Sequence, residues 1–135
     1  MPMFTLRTGH RIRIESLDVE LVQVGLLALA GTLSSMTTRN EFRRLLEGLH
    51  AQINAQRITR FVVDVRRLSF VDSSAIRVFV DWISHASAAR YRLAFRIDPS
   101  VTWHRLSFSV LKSLAPDTVE IVDEAGLGAR GEPPT

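Results

Sequence analysis

Residues 61–80 read FVVDVRRLSFVDSSAIRVFV, and this stretch decides the fold class. Residues 59–65 form an apolar run rich in β-branched residues, which is typical of a strand covered on both faces. The polar step Asp72-Ser73-Ser74 interrupts the apolar pattern. A second apolar run follows at helical spacing and continues to about Ala89. A strand that leads directly into an amphipathic helix indicates an α/β unit.

The segments on either side continue this alternation. Strands are predicted over 10–15, 19–30, 90–97 and 118–122, the second of them either bent or divided in two at Gly25. A first helix is predicted from a capping box at Thr38 and Glu41 to about Gln56. A third helix follows the turn at 98–100. Its predicted buried side consists of Val101, Leu106, Val110, Leu111 and Leu114. This order predicts an α/β fold whose later strands are parallel.

Length and composition indicate one domain. A chain of 135 residues suits one hydrophobic core better than two. Its 46% hydrophobic and 23% charged residues are ordinary for a globular protein. We expect the domain to span residues 1–123. The segment 124–135 is rich in glycine and proline, and we expect it to be a disordered tail.

Several kinds of chemistry have no support in the sequence. The chain contains no cysteine, which excludes a disulfide framework, a thiol nucleophile and a thiolate metal site. Its four histidines do not have metal-ligand spacing, and we expect them at the surface or as capping residues. No Gly-x-Ser-x-Gly elbow, P-loop or Gly-x-Gly-x-x-Gly motif occurs. We therefore expect no enzyme activity, no metal and no cofactor.

Charge and hydropathy argue against nucleic acid and membrane as partners. The net charge is +3, but the basic residues are scattered among acidic ones and form no compact stripe. The most apolar stretch, 25–31, is far shorter than the roughly 20 residues of a spanning helix. The N-terminus lacks the apolar core of a signal peptide. We expect a cytoplasmic protein without membrane insertion, and the sequence leaves open whether it forms a homodimer.

The candidate site is the first turn of the second helix. Backbone amides there lack intrahelical acceptors and the helix dipole is positive, so an anion on Ser73 or Ser74 would be stabilised. Arg77 follows Ser73 by four residues and is within reach of a phosphate, whereas Asp72 would repel one. An Asp-Ser-Ser step is also a common helix N-cap without any regulatory role. Local physics leaves both interpretations open.

The same helix is apolar around more than half of its circumference. The face expected to pack on the sheet consists of Ile76, Phe79, Val80 and Ile83. Ala75, Val78, Trp82 and Ala89 lie on another side. Either a neighbouring helix buries Val78 and Trp82, or they are partly exposed and anchor a partner protein.

The stretch 61–80 resembles the signature segment of STAS domains, which occur in sulfate transporters and anti-sigma-factor antagonists. In that segment an apolar strand, a loop ending in Phe-x-Asp-Ser-Ser/Thr-Gly-Leu-Gly and an apolar helix follow one another. Residues 27–35, LALAGTLSS, look like the family's strand ending in Gly-x-Leu-Asp, and 100–111, SVTWHRLSFSVL, are similar to its third helix. The resemblance extends from about Leu26 to Val122. It implies the STAS fold, a mixed sheet of four to five strands with amphipathic helices packed against it.

The resemblance also implies a function. In antagonists of this family, a partner kinase that is also the anti-sigma factor phosphorylates the serine directly after the aspartate, and a phosphatase resets the switch. Ser73 matches that serine, and Ser74 is the alternative. The implied function is a non-enzymatic domain that binds a serine kinase/anti-sigma factor. The expected partner contacts are Ser34, Asp72, Ser74, Ala75, Arg77, Val78 and Trp82.

Three departures from the family pattern leave an alternative. The family's Gly-Leu-Gly is replaced by residues 75–77, Ala-Ile-Arg, so that Arg77 either holds the phosphate or blocks the kinase. Ser34 replaces the loop aspartate, and Trp103-His104 is unlike the family. The alternative function is a constitutive STAS scaffold subunit of a lipid-transport ABC complex or of a stress-sensing assembly.

Overall fold

A computed structural model describes residues 7–123, which build a six-stranded sheet and three helices. The elements in chain order are β1 (Arg11–Ile14), β2 (Leu17–Gln23), β3 (Leu26–Leu33), α1 (Met36–Ala55), β4 (Arg60–Val71), α2 (Ser73–Ala89), β5 (Arg92–Ile97), α3 (Thr102–Leu114) and β6 (Val119–Asp123). The segment 124–135, expected to be a tail, lies outside the described residues.

The strands lie in the sheet in the order in which they occur in the chain. β1, β2 and β3 pair antiparallel, and β3 to β6 pair parallel. Crossovers between parallel strands are right-handed as a rule. Each crossover here places the next strand at the same growing edge of the sheet, so all three helices lie on one face of the sheet. The predicted α/β fold with parallel later strands is confirmed.

The predicted number of strands is wrong, because the sheet has six rather than four to five. Gly25 has a φ of +87°, and the turn around it divides 19–30 into the antiparallel strands β2 and β3. Glycine adopts this backbone conformation without the steric cost that a side chain imposes. The interpretation in which the segment is divided at Gly25 is therefore the correct one.

The core lies between the sheet and the helices. Phe79 of α2 is at its centre and contacts Phe42 of α1, Phe95 of β5 and Phe108 of α3. The ring centroids are 5.8, 5.8 and 5.9 Å from that of Phe79, all edge-on. Edge-on contacts suit the quadrupoles of aromatic rings and add to the free energy gained by burial. This cluster fixes α2, which carries the candidate site, against both other helices and the sheet.

The N-terminus of α1 differs from the predicted capping box. The N-cap is Ser35, whose side chain accepts a hydrogen bond from the backbone N–H of Thr38. The hydroxyls of Ser35 and Thr38 both donate to the carboxylate of Glu15, in the β1–β2 turn. Glu41 instead lies 3.7 Å from Arg44. The carboxylate at this helix tip thus comes from a distant part of the chain, which a local motif does not reveal.

The predicted buried side of α3 is wrong. The helix buries His104, Phe108 and Leu111, of which only Leu111 was expected. Leu106, Val110 and Leu114 are 62%, 58% and 65% exposed. Val101 is half-buried and serves as the N-cap.

His104 lies on the buried side of α3 together with Phe108 and Leu111. Its Nε2 lies 2.8 Å from the carbonyl oxygen of Leu68, and its Nδ1 accepts from the backbone N–H of Asp98 at 3.2 Å. The neutral ring with the proton on Nε2 satisfies both contacts. A polar residue therefore occupies an inward position of α3, and the expectation that every histidine is a surface or capping residue is wrong for His104.

Candidate functional site

The candidate site begins where β4 passes into α2. Asp72 is the N-cap, with extended backbone, and its Oδ1 accepts from the N–H of Ala75 at 2.7 Å. The helix therefore begins at Ser73, as predicted. Ser73 and Ser74 are both exposed. Their hydroxyls are accessible from solvent at the positive end of the α2 dipole.

The β3–α1 loop lies beside this helix tip. Leu33 pairs with Val71 in the parallel ladder, and the carbonyl oxygen of Leu33 accepts from the N–H of Asp72 at 3.2 Å. Ser34 is the next residue and is exposed. The sheet thus brings Ser34 to the tip of α2, although the two segments are far apart in sequence.

Arg39 of α1 connects these two segments. Its Nη1 lies 3.6 Å from Oδ2 of Asp72 and donates to the carbonyl oxygen of Ser34 at 3.5 Å. The guanidinium of Arg39 is thus held at the tip of α2, and the side chain of Arg77 is exposed one turn further along the helix. Sequence reasoning missed Arg39, because its proximity to Asp72 depends on how α1 packs beside α2.

The tip of α1, at the same end of the sheet, holds a carboxylate of the chain itself. Hydrogen bonds from the hydroxyls of Ser35 and Thr38 lower the pKa of Glu15. A helix tip that stabilises a carboxylate in this way is suited to bind negative charge. The tip of α2 differs from that of α1. Among the described residues, the carboxylate that accepts from the amide of Ala75 there belongs to the N-cap residue Asp72 itself.

Three of the expected partner contacts are buried. Ala75, Val78 and Trp82 are at most 2% exposed, and α2 packs against α1. Trp82 donates from Nε1 to the hydroxyl oxygen of Tyr91 at 2.9 Å and contacts Phe61 edge-on. The interpretation in which a neighbouring helix buries Val78 and Trp82 is confirmed, and the one in which they anchor a partner is wrong. These side chains support the site from behind and do not form its surface.

The face of α2 that packs on the sheet is rotated from the predicted one. Phe79 and Ile83 are buried as expected, but Ile76 and Val80 are only partly buried. The shift follows from α1, which covers the side of α2 that carries Val78 and Trp82. The hydrophobic pattern of α2 alone predicts packing on the sheet but does not reveal that α1 also covers this helix.

Two exposed apolar side chains lie at the same end of the sheet. Phe70, the first residue of the FVDSS motif, is 52% exposed, and Met36, the first residue of α1, is 67% exposed. The register between β3 and β4 shifts between Gly31 and Thr32, so that Phe70 pairs with Thr32. A β-bulge of this kind re-aims a side chain. The site therefore combines hydroxyls, guanidinium groups and apolar contacts.

Within residues 7–123 no cluster of three or more His, Cys, Asp or Glu side chains could hold a metal ion. The rings of His50 and His85 are 5.4 Å apart, in the groove between α1 and α2, whereas His104 is buried under α3. No helix in the described part of the chain is both long enough and apolar enough to cross a membrane.

The topology and the helices on one face give an α/β domain with the STAS fold. A solved structure with this fold is that of the anti-sigma factor antagonist SpoIIAA in its unphosphorylated form. The two chains are 18% identical with a TM-score of 0.52, and the match covers 79% of this chain and 87% of the other. No family model and no curated protein matches the sequence. The likeness confirms the fold that the sequence resemblance implied.

Proposed function

We propose that this chain is a non-enzymatic regulatory domain of the anti-sigma-factor-antagonist type, switched by phosphorylation of Ser73. The observation that carries the proposal is the exposed hydroxyl of Ser73 as the first residue of α2, directly after the N-cap Asp72. Ser74 is exposed as well and is the alternative acceptor. The fold shared with an antagonist described as unphosphorylated supports regulation of this chain by phosphorylation.

The charges around Ser73 give the switch a physical basis. A phosphate would add about −1.5 to −2 charges at the positive end of α2. Arg77, one turn further on, would donate to it, and Arg39 would be drawn from Asp72 and from the carbonyl of Ser34. Phosphorylation would then change both the charge and the hydrogen bonding of the surface that a partner reads.

The proposed partner is a serine kinase that is also an anti-sigma factor, with a phosphatase that removes the phosphate. The unphosphorylated domain binds the kinase and so frees the sigma factor. The contact surface consists of Ser34, Met36, Phe70, Asp72, Ser73, Ser74 and Arg77, all of them exposed or half-buried. A cytoplasmic location, without membrane insertion and without nucleic acid, belongs to the same proposal.

Arg77 favours the second candidate function, a constitutive STAS scaffold subunit of a lipid-transport or stress-sensing assembly. Its side chain is exposed beside the phosphosite, where a kinase would approach. A cation at that place either receives the phosphate or obstructs the kinase. The two functions differ in whether Ser73 must change its charge.

Capture from a lysate of the native host, with phosphosite mapping, tests the proposal. The immobilised baits are the wild-type chain and its Ser73→Ala and Ser73→Asp variants, and the captured proteins are identified by mass spectrometry. Wild type and Ser73→Ala should retain a serine kinase, and Ser73→Asp should retain at least about tenfold less, which corresponds to about 1.4 kcal/mol. Adding ATP should place one phosphate on the wild type, at Ser73.

Ser87→Asp is the matched control, because Ser87 is an exposed serine at the other end of α2. It adds the same charge to the same helix and should leave binding unchanged. Kinase binding by Ser73→Asp at the wild-type level would contradict the switch. Retention of an ATPase by all variants, without any phosphate, would support the scaffold.

A further inference from the structure

A chain of hydrogen bonds joins α1 to the buried side of α2. Trp82 and Tyr91 are both 2% exposed, and Nε1 of Trp82 donates to the hydroxyl oxygen of Tyr91 at 2.9 Å. That hydroxyl oxygen lies 2.6 Å from Nδ1 of His50 in α1. The Nε2 of His50 lies 3.2 Å from the side-chain amide of Asn54, one turn further along α1. His50 is therefore bonded through both of its ring nitrogens.

The hydroxyl of Tyr91 favours a neutral ring at His50. An indole N–H only donates, so the oxygen of Tyr91 accepts from Trp82, and its own proton needs a separate acceptor. The unprotonated Nδ1 of a neutral His50 is that acceptor. A half-turn exchanges the oxygen and nitrogen of an amide, so Asn54 can accept from a protonated Nε2. An imidazolium donates from both nitrogens, and among the described residues it would leave the buried hydroxyl proton of Tyr91 without an acceptor.

A second imidazole faces His50 across the groove between α1 and α2. His85 of α2 is exposed, and its ring centroid is 5.4 Å from that of His50. Two imidazolium ions at this distance repel each other. Partial burial and the proximity of His85 both hold the pKa of His50 below its ordinary value of 6.5. Hydrogen bonding, burial and charge thus all favour the neutral ring.

The other charged groups near this groove do not remove that preference. Arg43 and Glu47 line it from α1, and Asp81 lines it from α2. Arg43 and Asp81 form an ion pair with each other across the groove. Glu47 is the carboxylate that would favour an imidazolium at His50, but it is exposed, and salt screens exposed charges. Glu15 of the β1–β2 turn meets α1 at its tip, about four turns from His50.

We propose that His50 is a proton sensor, which holds α1 and α2 together when neutral and loosens their contact when protonated. The imidazolium loses the hydrogen bond from Tyr91 and is repelled by His85. The groove has a volume of about 390 Å³, which gives the charged ring room to move away from both groups and toward water. This movement removes His50 from the buried pair of Tyr91 and Trp82 and opens that pair to solvent.

The pH range of the switch follows from the direction in which folding shifts the pKa of His50. The folded state binds this proton less tightly than the unfolded chain does. The stability that the neutral ring contributes is therefore present in full above pH 6.5. It is lost as the pH falls through 6.5 toward the lowered value of the folded state.

A histidine NMR titration of the full-length chain, from neutral to mildly acidic pH, tests the sensor. The signals of His50 can be assigned through its contact with the ring of Tyr91, since the two centroids are 5.5 Å apart. They should titrate below pH 6.5. Tyr91→Phe removes the hydroxyl that holds the neutral ring, and His85→Gln removes the second imidazolium, so each variant should raise the midpoint of His50. His10→Gln is the matched control, because His10 is exposed before β1, outside the groove, and should leave that midpoint unchanged.

Tryptophan fluorescence measures whether the groove opens. The chain has two tryptophans, and Trp103→Phe leaves Trp82 as the reporter. As His50 gains its proton, the emission of Trp82 should shift to longer wavelength while the far-ultraviolet circular dichroism is unchanged. Adding His50→Gln to this variant should abolish the shift. The urea midpoint should fall over the same pH range, and it should fall less in His50→Gln than in the wild type.

Three results would overturn the proposal. The first is a wild-type His50 that titrates at or above pH 6.5, or whose midpoint neither Tyr91→Phe nor His85→Gln moves. The second is an emission of Trp82 that stays constant although His50 has titrated. The third is an equal acid decline of the urea midpoint in the wild type and His50→Gln. If His50→Gln does not fold, the titrations of the wild type and of His85→Gln still decide.

These measurements are independent of the function proposed above. His50 and His85 lie in the C-terminal halves of their helices, whereas Ser73 is the first residue of α2. The titrations need no kinase and leave Ser73 unchanged. Failure of the proton sensor would leave the phosphorylation switch untouched, and the reverse also holds.

Discussion

Gly31 is held where a side chain has no room. Its φ is +99°, and an added Cβ would lie 2.0 Å from the carbonyl oxygen of Ser16 in the β1–β2 turn. Gly31→Ala should lose about 1–2 kcal/mol from the backbone conformation and more from displacement of that turn. Urea denaturation measures the loss.

Gly25→Ala is the matched comparison for Gly31→Ala. Gly25 has a φ of +87°, but its added Cβ meets nothing nearer than the carbonyl oxygen of Arg60 at 4.0 Å. Gly25→Ala should therefore lose only the free energy that the positive-φ backbone conformation costs, about 1–2 kcal/mol. An equal loss of unfolding free energy in the two variants would show that the β1–β2 turn moves away from the Cβ that Gly31→Ala adds without a measurable free-energy cost.

The phenol of Tyr91 should ionise well above its ordinary range. Burial raises its pKa to about 12, although the N–H of Trp82 favours the phenolate. The folded state thus prefers the neutral phenol. This contribution to stability is complete below the ordinary pKa of 10.0 and is lost as the pH rises toward 12.

Tyr91 is the only tyrosine of the chain, so its phenolate absorbance can be followed directly. The native chain should titrate near pH 12 and the urea-unfolded chain near pH 10. Tyr91→Phe supplies the baseline. Native titration near the unfolded value would mean that the α1–α2 groove admits water to this ring.

Single residues show which part of the site the sequence could predict. Asp72 and Ser73 are adjacent, and a strand followed by a capping aspartate is a local signal. Arg39 contacts Asp72 only because parallel pairing places Leu33 beside Val71. Residue types predict local geometry, whereas contacts between distant segments require the sheet register.

At the scale of elements, the cap of α1 offers a direct test. Ser35→Ala removes the side chain that accepts from the N–H of Thr38, and it should cost about 1 kcal/mol. It also removes one of the two hydroxyls that lower the pKa of Glu15. The stability gained from this carboxylate is present above its ordinary pKa and is lost as the pH falls through the lowered value.

The urea midpoint measures the effect of Ser35→Ala. Ser34→Ala is the control, because Ser34 is exposed and in the described residues its side chain makes no hydrogen bond. Ser34→Ala should leave the midpoint unchanged. A midpoint equally unchanged in Ser35→Ala would mean that Thr38 and Glu15 hold the helix tip without the cap.

α3 shows why helix faces are harder to predict than helices. Its length and spacing predicted a helix correctly, but apolar residues occur on two sides of it. Phe108 and Leu111 face the sheet together with His104, and Leu106, Val110 and Leu114 face outward. Hydropathy alone assigns the inward side to the most aliphatic face. The buried side instead carries the ring of Phe108 and the two hydrogen bonds of His104.

For the whole molecule, ion pairs across the parallel half of the sheet should set its acid sensitivity. Glu120 of β6 accepts from Nε and Nη2 of Arg60 of β4, both at 2.9 Å, and these bonds lower its pKa despite partial burial. The pair therefore stabilises the fold above the ordinary pKa of 4.5. This contribution is lost as the pH falls through the lowered value in the folded state.

Glu120→Gln should lower the free energy of unfolding at neutral pH by up to about 1 kcal/mol and flatten its decline in acid. Urea unfolding between neutral and acidic pH measures both effects. Glu47→Gln is the control, since Glu47 is exposed on α1 and has no ion pair in the described part of the chain. An acid profile of Glu120→Gln parallel to that of the wild type would assign the sensitivity to other carboxylates.

The alternation of strands and helices was sufficient to predict the architecture of the whole molecule, because parallel sheets require helical crossovers. It was not sufficient to count the strands. The apolar run 19–30 fits one bent strand as well as two strands, and only the turn at Gly25, with its φ of +87°, divides it into β2 and β3.

The sheet order repeats the order of the chain from β1 to β6. Each strand after β1 therefore pairs with the strand that precedes it in the chain, and no strand is later inserted between two earlier ones. Pairings between segments close in sequence incur little loop-closure entropy. A new strand can therefore join the sheet at one growing edge, and the helix that carries Ser73 precedes the last two of these additions.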